Sequence, residues 1–135
     1  MSIDKTADET VEQRRARGRK VLEKVLGEPY LQRRDAATNA FNGPVRRMSE
    51  ELAYAELWTR PGLDVKTRSL VTIAMLMALN RPHELAIHLQ GAINNGCTAE
   101  EIRETFTHGV AYCGFPAAID ALRLAETLLR EQGLL

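Results

Sequence analysis

The sequence has few of the residues that mark specialised classes of protein. Its two cysteines, Cys97 and Cys113, have neither zinc-type nor Cys-x-x-Cys spacing, which argues against a zinc module and a dithiol redox motif. No apolar run approaches the roughly 20 residues of a membrane span, and the first ten residues, MSIDKTADET, have no apolar signal-peptide core. These absences predict a cytoplasmic protein with reduced cysteines and no membrane partner.

Net charge is also missing, since 18 basic residues balance 18 acidic ones. The balance predicts no binding to nucleic acid. One basic cluster, residues 14–20, is typical of a nucleic-acid arm or of a solvated helix face, and the acidic residues on both sides of it favour the helix face. The sequence also lacks a glycine-rich phosphate loop and a Gly-x-Ser-x-Gly nucleophile motif.

Helical periodicity is the feature that the sequence does have. Strand-like alternation is nearly absent, so the 135 residues predict one all-α domain over 1–135, with a core at about 30–132. Apolar spacing and capping residues predict seven helices. They lie at about 6–26, 31–40, 44–57, 65–79, 82–95, 98–114 and 116–132.

Particular residues predict where these helices begin and end. Gly27 ends the first helix and Pro29 then breaks the chain. Asp64 caps the helix over 65–79, and Thr98 with Glu101 forms a capping box. The helix over 65–79 is apolar almost all round, which predicts burial on several sides. A domain of this size has too little chain to cover it, so we expect a homo-oligomer.

The candidate catalytic residues are Glu84 and His88, four apart and therefore on one helix face. A carboxylate beside an imidazole raises the imidazole pKa and orients the ring for proton transfer. The alternative is a surface i,i+4 pair, against which the apolar Leu85, Ile87 and Leu89 argue. The pair supplies two metal ligands and no third is evident, so we expect no metal site.

Other residues have two interpretations each. Arg68 lies in an apolar helix and needs a partner, which is a substrate carboxylate or an internal salt bridge. Trp58 either seals the core or walls a small-molecule pocket. His108 is typical of a packed or exposed histidine rather than a catalytic one. The junction 112–116 is structural or lines a pocket.

Six segments in fixed order resemble the carboxymuconolactone decarboxylase family. They are 58–63 (WTRPGL), 67–74 (TRSLVTIA), 80–88 (NRPHELAIH), 94–96 (NNG), 100–104 (EEIRE) and 112–118 (YCGFPAA). The resemblance covers about residues 20–130. It implies a bundle of six to seven helices with the alkyl hydroperoxidase D-like fold, assembled as a trimer or hexamer.

The resemblance also separates two branches of this superfamily. The redox branch has a Cys-x-x-Cys-x-x-x-His motif where this chain has Arg81, Glu84 and His88, so the histidine is kept and both cysteines are replaced. A glutamate of the redox branch falls at Ser69. These replacements indicate the decarboxylase branch.

The decarboxylase branch implies cofactor-free loss of carbon dioxide from a small dicarboxylate lactone, 4-carboxymuconolactone, in bacterial breakdown of aromatic acids. In that reaction His88 is the proton donor or the enolate stabiliser, and Glu84 tunes or orients it. Arg68 and Arg81 are candidate anchors for the substrate carboxylates, and Trp58 is a candidate pocket wall.

Three alternatives remain open at this point. One is a family paralogue that acts on a related lactone or keto acid. The second is a peroxide-linked thiol oxidoreductase that uses Cys97 or Cys113. The third is a non-enzymatic helical oligomer that serves as an interaction protein.

Overall fold

Helices account for all the regular secondary structure in residues 8–135, which the computed structural model describes. They are α1 (Val11–Leu26), α2 (Glu28–Ala36), α3 (Gly43–Met48), a π-helix (Ser49–Leu57), α4 (Val65–Ala78), α5 (Pro82–Asn94), α6 (Ala99–Cys113) and α7 (Phe115–Glu131). The all-α prediction is confirmed, while the predicted helix start at residue 6 lies outside the described residues. In the described part of the chain, every helix is too short or too polar to cross a membrane.

The helices divide into two compact units, one up to Gly62 and one over Leu63–Leu135. In the first unit α1 packs against α2 and the π-helix, and in the second α4 packs against α5, α6 and α7. That 1–135 is one domain stays a prediction.

In the first unit α1 approaches the π-helix closely. Gly18 makes this approach possible, because a Cβ atom at Gly18 would lie 1.9 Å from the backbone oxygen of Glu50. Leu22 and Val25 are buried on the same helix. Gly27 then ends α1 with a φ of 94°, as predicted.

The segment predicted as one α-helix over 44–57 changes its hydrogen bonding partway. The peptide N–H of Trp58 donates to the carbonyl of Ala53 at 2.9 Å, which is the i→i+5 pattern of a π-helix. The sequence prediction assumed the spacing of an α-helix, which would place four apolar residues near one face: Val45, Met48, Leu52 and Ala55. Ala55 is buried, but Val45, Met48 and Leu52 are exposed.

The second helix begins and ends earlier than predicted. The predicted range was 31–40, whereas α2 spans Glu28–Ala36. Pro29 lies in its first turn instead of breaking the chain, because proline lacks only an N–H that would be unpaired there. After α2, the side chain of Asn39 accepts hydrogen bonds from the N–H groups of Phe41 and Asn42 and closes a turn.

The predicted caps of the second unit are confirmed. The side chain of Asp64 accepts a hydrogen bond from the N–H of Thr67 at 2.7 Å. Thr98 and Glu101 form the reciprocal capping box, at 3.1 and 3.2 Å. The main apolar core lies between α4, α5, α6 and α7. It includes Ile73, Met77, Leu85, Leu89, Ile102, Phe106, Ala118, Ala121, Ala125 and Leu129.

Within one chain α4 is buried on one side only, and the burial of its other sides by further subunits stays a prediction. Ser69, Ile73 and Met77 form the buried side. On another face Val71, Met75 and Leu79 are 38%, 59% and 65% exposed. These three residues repeat every four positions, so they form an apolar stripe along the helix.

Candidate active site

The α4–α5 turn positions the start of the candidate site. The N–H of Arg81 donates to the carbonyl of Leu76 at 3.0 Å, and the carbonyl of Arg81 accepts from the N–H of Leu85 at 2.8 Å. Pro82 occupies the first turn of α5, and Glu84 is the acidic residue of that turn. The N-terminal end of a helix favours a negative charge, so Glu84 is well placed there as a carboxylate.

His88 lies one turn further along α5, half-buried beside the buried Leu85 and Leu89. Burial lowers the pKa of His88 below its usual 6.5, and the charge of Glu84 opposes this only in part. Glu84 raises the pKa as the sequence predicted, but desolvation is the larger effect and sets the net direction. His88 is therefore a neutral imidazole at pH 7, with one N–H donor and one acceptor.

Glu84 itself is exposed, as are His83 and Arg81. Glu84 therefore acts on His88 from the solvent side of the helix. The pair therefore combines an exposed carboxylate with a half-buried imidazole.

Arg68 lies half-buried on α4, which packs against α5. Next to it, the buried Ser69 accepts a hydrogen bond from the side-chain amide of Asn95 at 2.9 Å. This bond ties α4 to the end of α5, and the sequence reading missed it because residues 26 positions apart carry no local signal. Arg68, Arg81, Glu84 and His88 all belong to the second unit.

Trp58 belongs to the first unit. It is half-buried and stacks on Tyr54, with ring centroids 6.3 Å apart and planes 8° apart. The structure thus gives Trp58 an aromatic partner in its own unit. Its role as a pocket wall stays a prediction.

A groove of about 560 Å³ runs between α5 and α7 and includes Pro82 and Ala86. Pro82 precedes Glu84 by two positions, and Ala86 precedes His88 by two. Two positions along an α-helix turn the side-chain direction by about 200°. The groove therefore follows the opposite side of α5 from the candidate catalytic pair. It is not the pocket that the pair would serve.

A second groove, of about 610 Å³, lies between α4 and α6. Its lining includes Val71, His108, Tyr112 and Cys113. The junction 112–116 therefore contributes to a concave surface, as one of its two interpretations held. His108 is exposed, and its ring centroid lies 5.3 Å from that of Tyr112.

The cysteines are both free thiols. Cys97 is buried, and burial raises the pKa of its thiol to about 11. A thiolate is the reactive form of cysteine, so this environment argues against peroxide chemistry at Cys97. In residues 8–135, no three side chains of His, Cys, Asp or Glu come together as metal ligands.

Known proteins are similar to this chain over most of its length. The 4-carboxymuconolactone decarboxylase of Acinetobacter baylyi is 42% identical over 123 residues, which is 91% of this chain and 92% of the relative. The nitrosuccinic acid decarboxylase of Metarhizium robertsii is 37% identical over 131 residues, which is 97% of this chain and 92% of the relative.

The family comparison agrees with these relatives. Residues 44–127 match the model described as the carboxymuconolactone decarboxylase family. The matched range includes Trp58, Arg68, Arg81, Glu84 and His88. The chain therefore belongs to the carboxymuconolactone decarboxylase family.

Proposed function

We propose that this protein is a carboxy-lyase that removes carbon dioxide from 4-carboxymuconolactone and forms the β-ketoadipate enol-lactone, in the breakdown of protocatechuate. The observation that carries the proposal is the 42% identity, along 91% of the chain, to a relative named for this substrate. The Glu84–His88 pair on α5 supplies the polar groups that such a reaction uses.

The substrate can be its own electron sink. The leaving carboxylate sits on the ring carbon that is bonded to the ring oxygen. When its C–C bond breaks, the electron pair moves through the ring double bond onto the lactone carbonyl oxygen. The extended enolate then takes one proton at the carbon next to the carbonyl. The reaction therefore consumes one proton and releases one carbon dioxide.

We assign His88 to the developing enolate oxygen. Because its pKa is lowered by burial, the neutral ring offers an N–H that donates a hydrogen bond as negative charge builds up. Of the two roles that the sequence reading kept open, this supports the enolate stabiliser over the proton donor. Glu84 orients the ring through its charge, and solvent supplies the proton.

Arg68 and Arg81 are the proposed anchors for the substrate carboxylates. A guanidinium binds a carboxylate through two parallel hydrogen bonds, which fixes its orientation. The exposed Arg81 lies at the start of α5 and the half-buried Arg68 on the adjacent α4.

We further propose that the protein has the alkyl hydroperoxidase D-like fold and forms a trimer or hexamer. The stripe of Val71, Met75 and Leu79 supports an oligomer, since an exposed apolar stripe on a helix is stabilised by a second apolar surface.

A second candidate substrate is another small acid. The Metarhizium relative is named for nitrosuccinic acid and covers 97% of this chain. A nitro group also accepts the electron pair of a departing carboxylate. The same neutral donor at His88 would serve that reaction.

The test is to mix the purified protein with freshly generated 4-carboxymuconolactone or with nitrosuccinate, with and without a chelator. We expect release of carbon dioxide and formation of the enol-lactone from the lactone, at a rate that the chelator leaves unchanged. Turnover of nitrosuccinate alone would replace the proposed substrate with the second candidate. No turnover of either by a folded protein would refute both.

A further inference from the structure

The first unit contains a buried carboxylate that three arginines contact. Glu50 is 1% exposed, and its carboxylate lies 2.6 Å from Arg15, 2.8 Å from Arg19 and 2.8 Å from Arg34. Burial alone would raise the pKa of Glu50, but the hydrogen bonds from the arginines outweigh it and lower the pKa. Glu50 is therefore ionised, and its negative charge holds the three cations together.

The network extends to further charged groups. Arg19 also binds Asp35, at 2.6 and 3.0 Å. Arg34 donates to the backbone carbonyl of Arg46 at 2.8 Å, and the side chain of Arg46 donates back to the carbonyl of Arg34. Three guanidinium groups thus share the two carboxylates, and the fourth, of Arg46, is attached through the carbonyl of Arg34 and the hydroxyl of Thr38. Among the described residues this network has a net charge of +2.

A second ion cluster in the same unit shows what a self-contained network looks like. Glu9 lies 2.8 Å from Arg17 and 3.7 Å from Arg14, and Glu56 lies 3.5 Å from Arg14 and 3.7 Å from Arg17. Two arginines here meet two carboxylates, so the charges balance. The Glu50 network differs because its surplus positive charge has no counterpart in the described part of the protein.

The surplus charge faces a cleft of about 250 Å³, which we call the arginine cleft. Its charged lining consists of Arg15, Arg19, Asp35, Arg46, Arg47 and Glu50. Arg47 adds a further cation at the rim, where its side chain is 54% exposed and pairs loosely with Glu51 at 3.7 Å. At about 30 Å³ for each water-sized group, a cleft of 250 Å³ has room for about eight of them.

We propose that the arginine cleft is a binding site for a small dianion whose carboxylate or phosphate oxygens accept hydrogen bonds from Arg15 and Arg47. Two negative charges would neutralise the surplus of the Glu50 network, and guanidinium groups fit both kinds of oxyanion. The arginine cleft uses none of the residues assigned to the decarboxylation proposed above, whose charged and acid–base residues all belong to the second unit. It also gives the basic cluster at 14–20 a role other than a solvated face or a nucleic-acid arm.

The test is isothermal titration of the full chain with succinate and with phosphate at low ionic strength. We expect one dianion per cleft. Arg47→Gln and Arg15→Gln should each weaken binding about tenfold, the size of one lost hydrogen bond to a charged group. Arg47 is the safer variant because Arg15 also bonds the buried Glu50 at 2.6 Å, whereas Arg47 pairs with Glu51. Tighter binding of succinate would identify a carboxylate ligand, and tighter binding of phosphate a phosphate ligand.

Two controls make the test specific. Arg33→Gln removes an exposed charge on α2 that does not line the cleft, and Arg130→Gln removes an exposed charge on α7 in the second unit. Both should bind the dianion as the unaltered chain does. The proposal fails if neither dianion binds, if Arg33→Gln weakens binding as much as Arg47→Gln, or if Arg130→Gln abolishes binding.

Discussion

His88 shows how burial and charge compete at one side chain. The carboxylate of Glu84 stabilises the protonated ring, but Glu84 is exposed and water screens its charge. Burial removes water from the ring and disfavours the imidazolium, so the pKa falls. The neutral ring follows from this balance, and it favours the proposed role of enolate stabiliser over that of proton donor.

The first prediction concerns the loss of this donor. His88→Ala should lower kcat for 4-carboxymuconolactone by about 10²-fold or more, since a positioned donor to a developing oxyanion contributes on that order. His83→Ala is the matched control, because His83 is exposed on the same helix. A folded His88→Ala protein with nearly normal turnover would contradict the assignment.

The second prediction is the pH profile of kcat/KM. We propose that the neutral form of His88 is the active one. Because the pKa of His88 is lowered, activity should then be constant at neutral pH and fall as the pH drops below 6.5. Glu84→Gln removes the charge that raises the pKa, so the midpoint should move to lower pH. Activity that falls as the pH rises through neutrality would instead indicate a protonated His88.

Among the helices, α1 and the π-helix depend on a close backbone contact. A Cβ atom at Gly18 would meet the backbone oxygen of Glu50 at 1.9 Å. On α6, a Cβ atom at Gly109 would meet only the terminal methyl of Met77, at 2.2 Å. A backbone atom moves only with its helix, whereas the end of a methionine side chain changes rotamer easily.

The third prediction follows from this difference. Gly18→Ala should reduce the free energy of unfolding by at least about 2 kcal/mol, because the added methyl group pushes two helices apart. Gly109→Ala should change it by less than about 1 kcal/mol, since the higher helix preference of alanine offsets the repacking of Met77. Urea denaturation followed by circular dichroism measures both, and equal effects would argue against the close contact at Gly18.

At the level of the whole molecule, the exposed stripe of α4 is the surface that a second subunit would cover. Charge placed within an apolar interface is costly to desolvate. Met75→Glu should therefore shift the protein to a smaller species in size-exclusion chromatography with light scattering. Val11→Glu is the matched control, since Val11 is 60% exposed on α1. An unchanged mass for Met75→Glu would exclude α4 from the interface.

Local sequence signals were enough to predict most of the helices and the candidate pair. Each cap is a hydrogen bond between a side-chain oxygen and a backbone N–H three residues away, as at Asp64, Thr98 and Glu101. The residues on either side of a helix end are therefore enough to predict the cap. The same holds for Gly27, whose backbone conformation few other residues adopt. The pairing of Glu84 with His88 is also local, because i and i+4 meet on any α-helix.

The remaining features depend on residues that are distant in the sequence. The sequence predicted that Glu84 raises the pKa of His88, but not the larger effect of burial, which lowers it and is set by the elements packed around α5. It assigned an α-helix to residues that form a π-helix packed against Gly18. It treated the arginines of α1 as solvated, whereas Arg15 and Arg19 reach a carboxylate more than 30 positions away. Solvation and ion pairing are properties of the packed chain, so only the tertiary structure decides them.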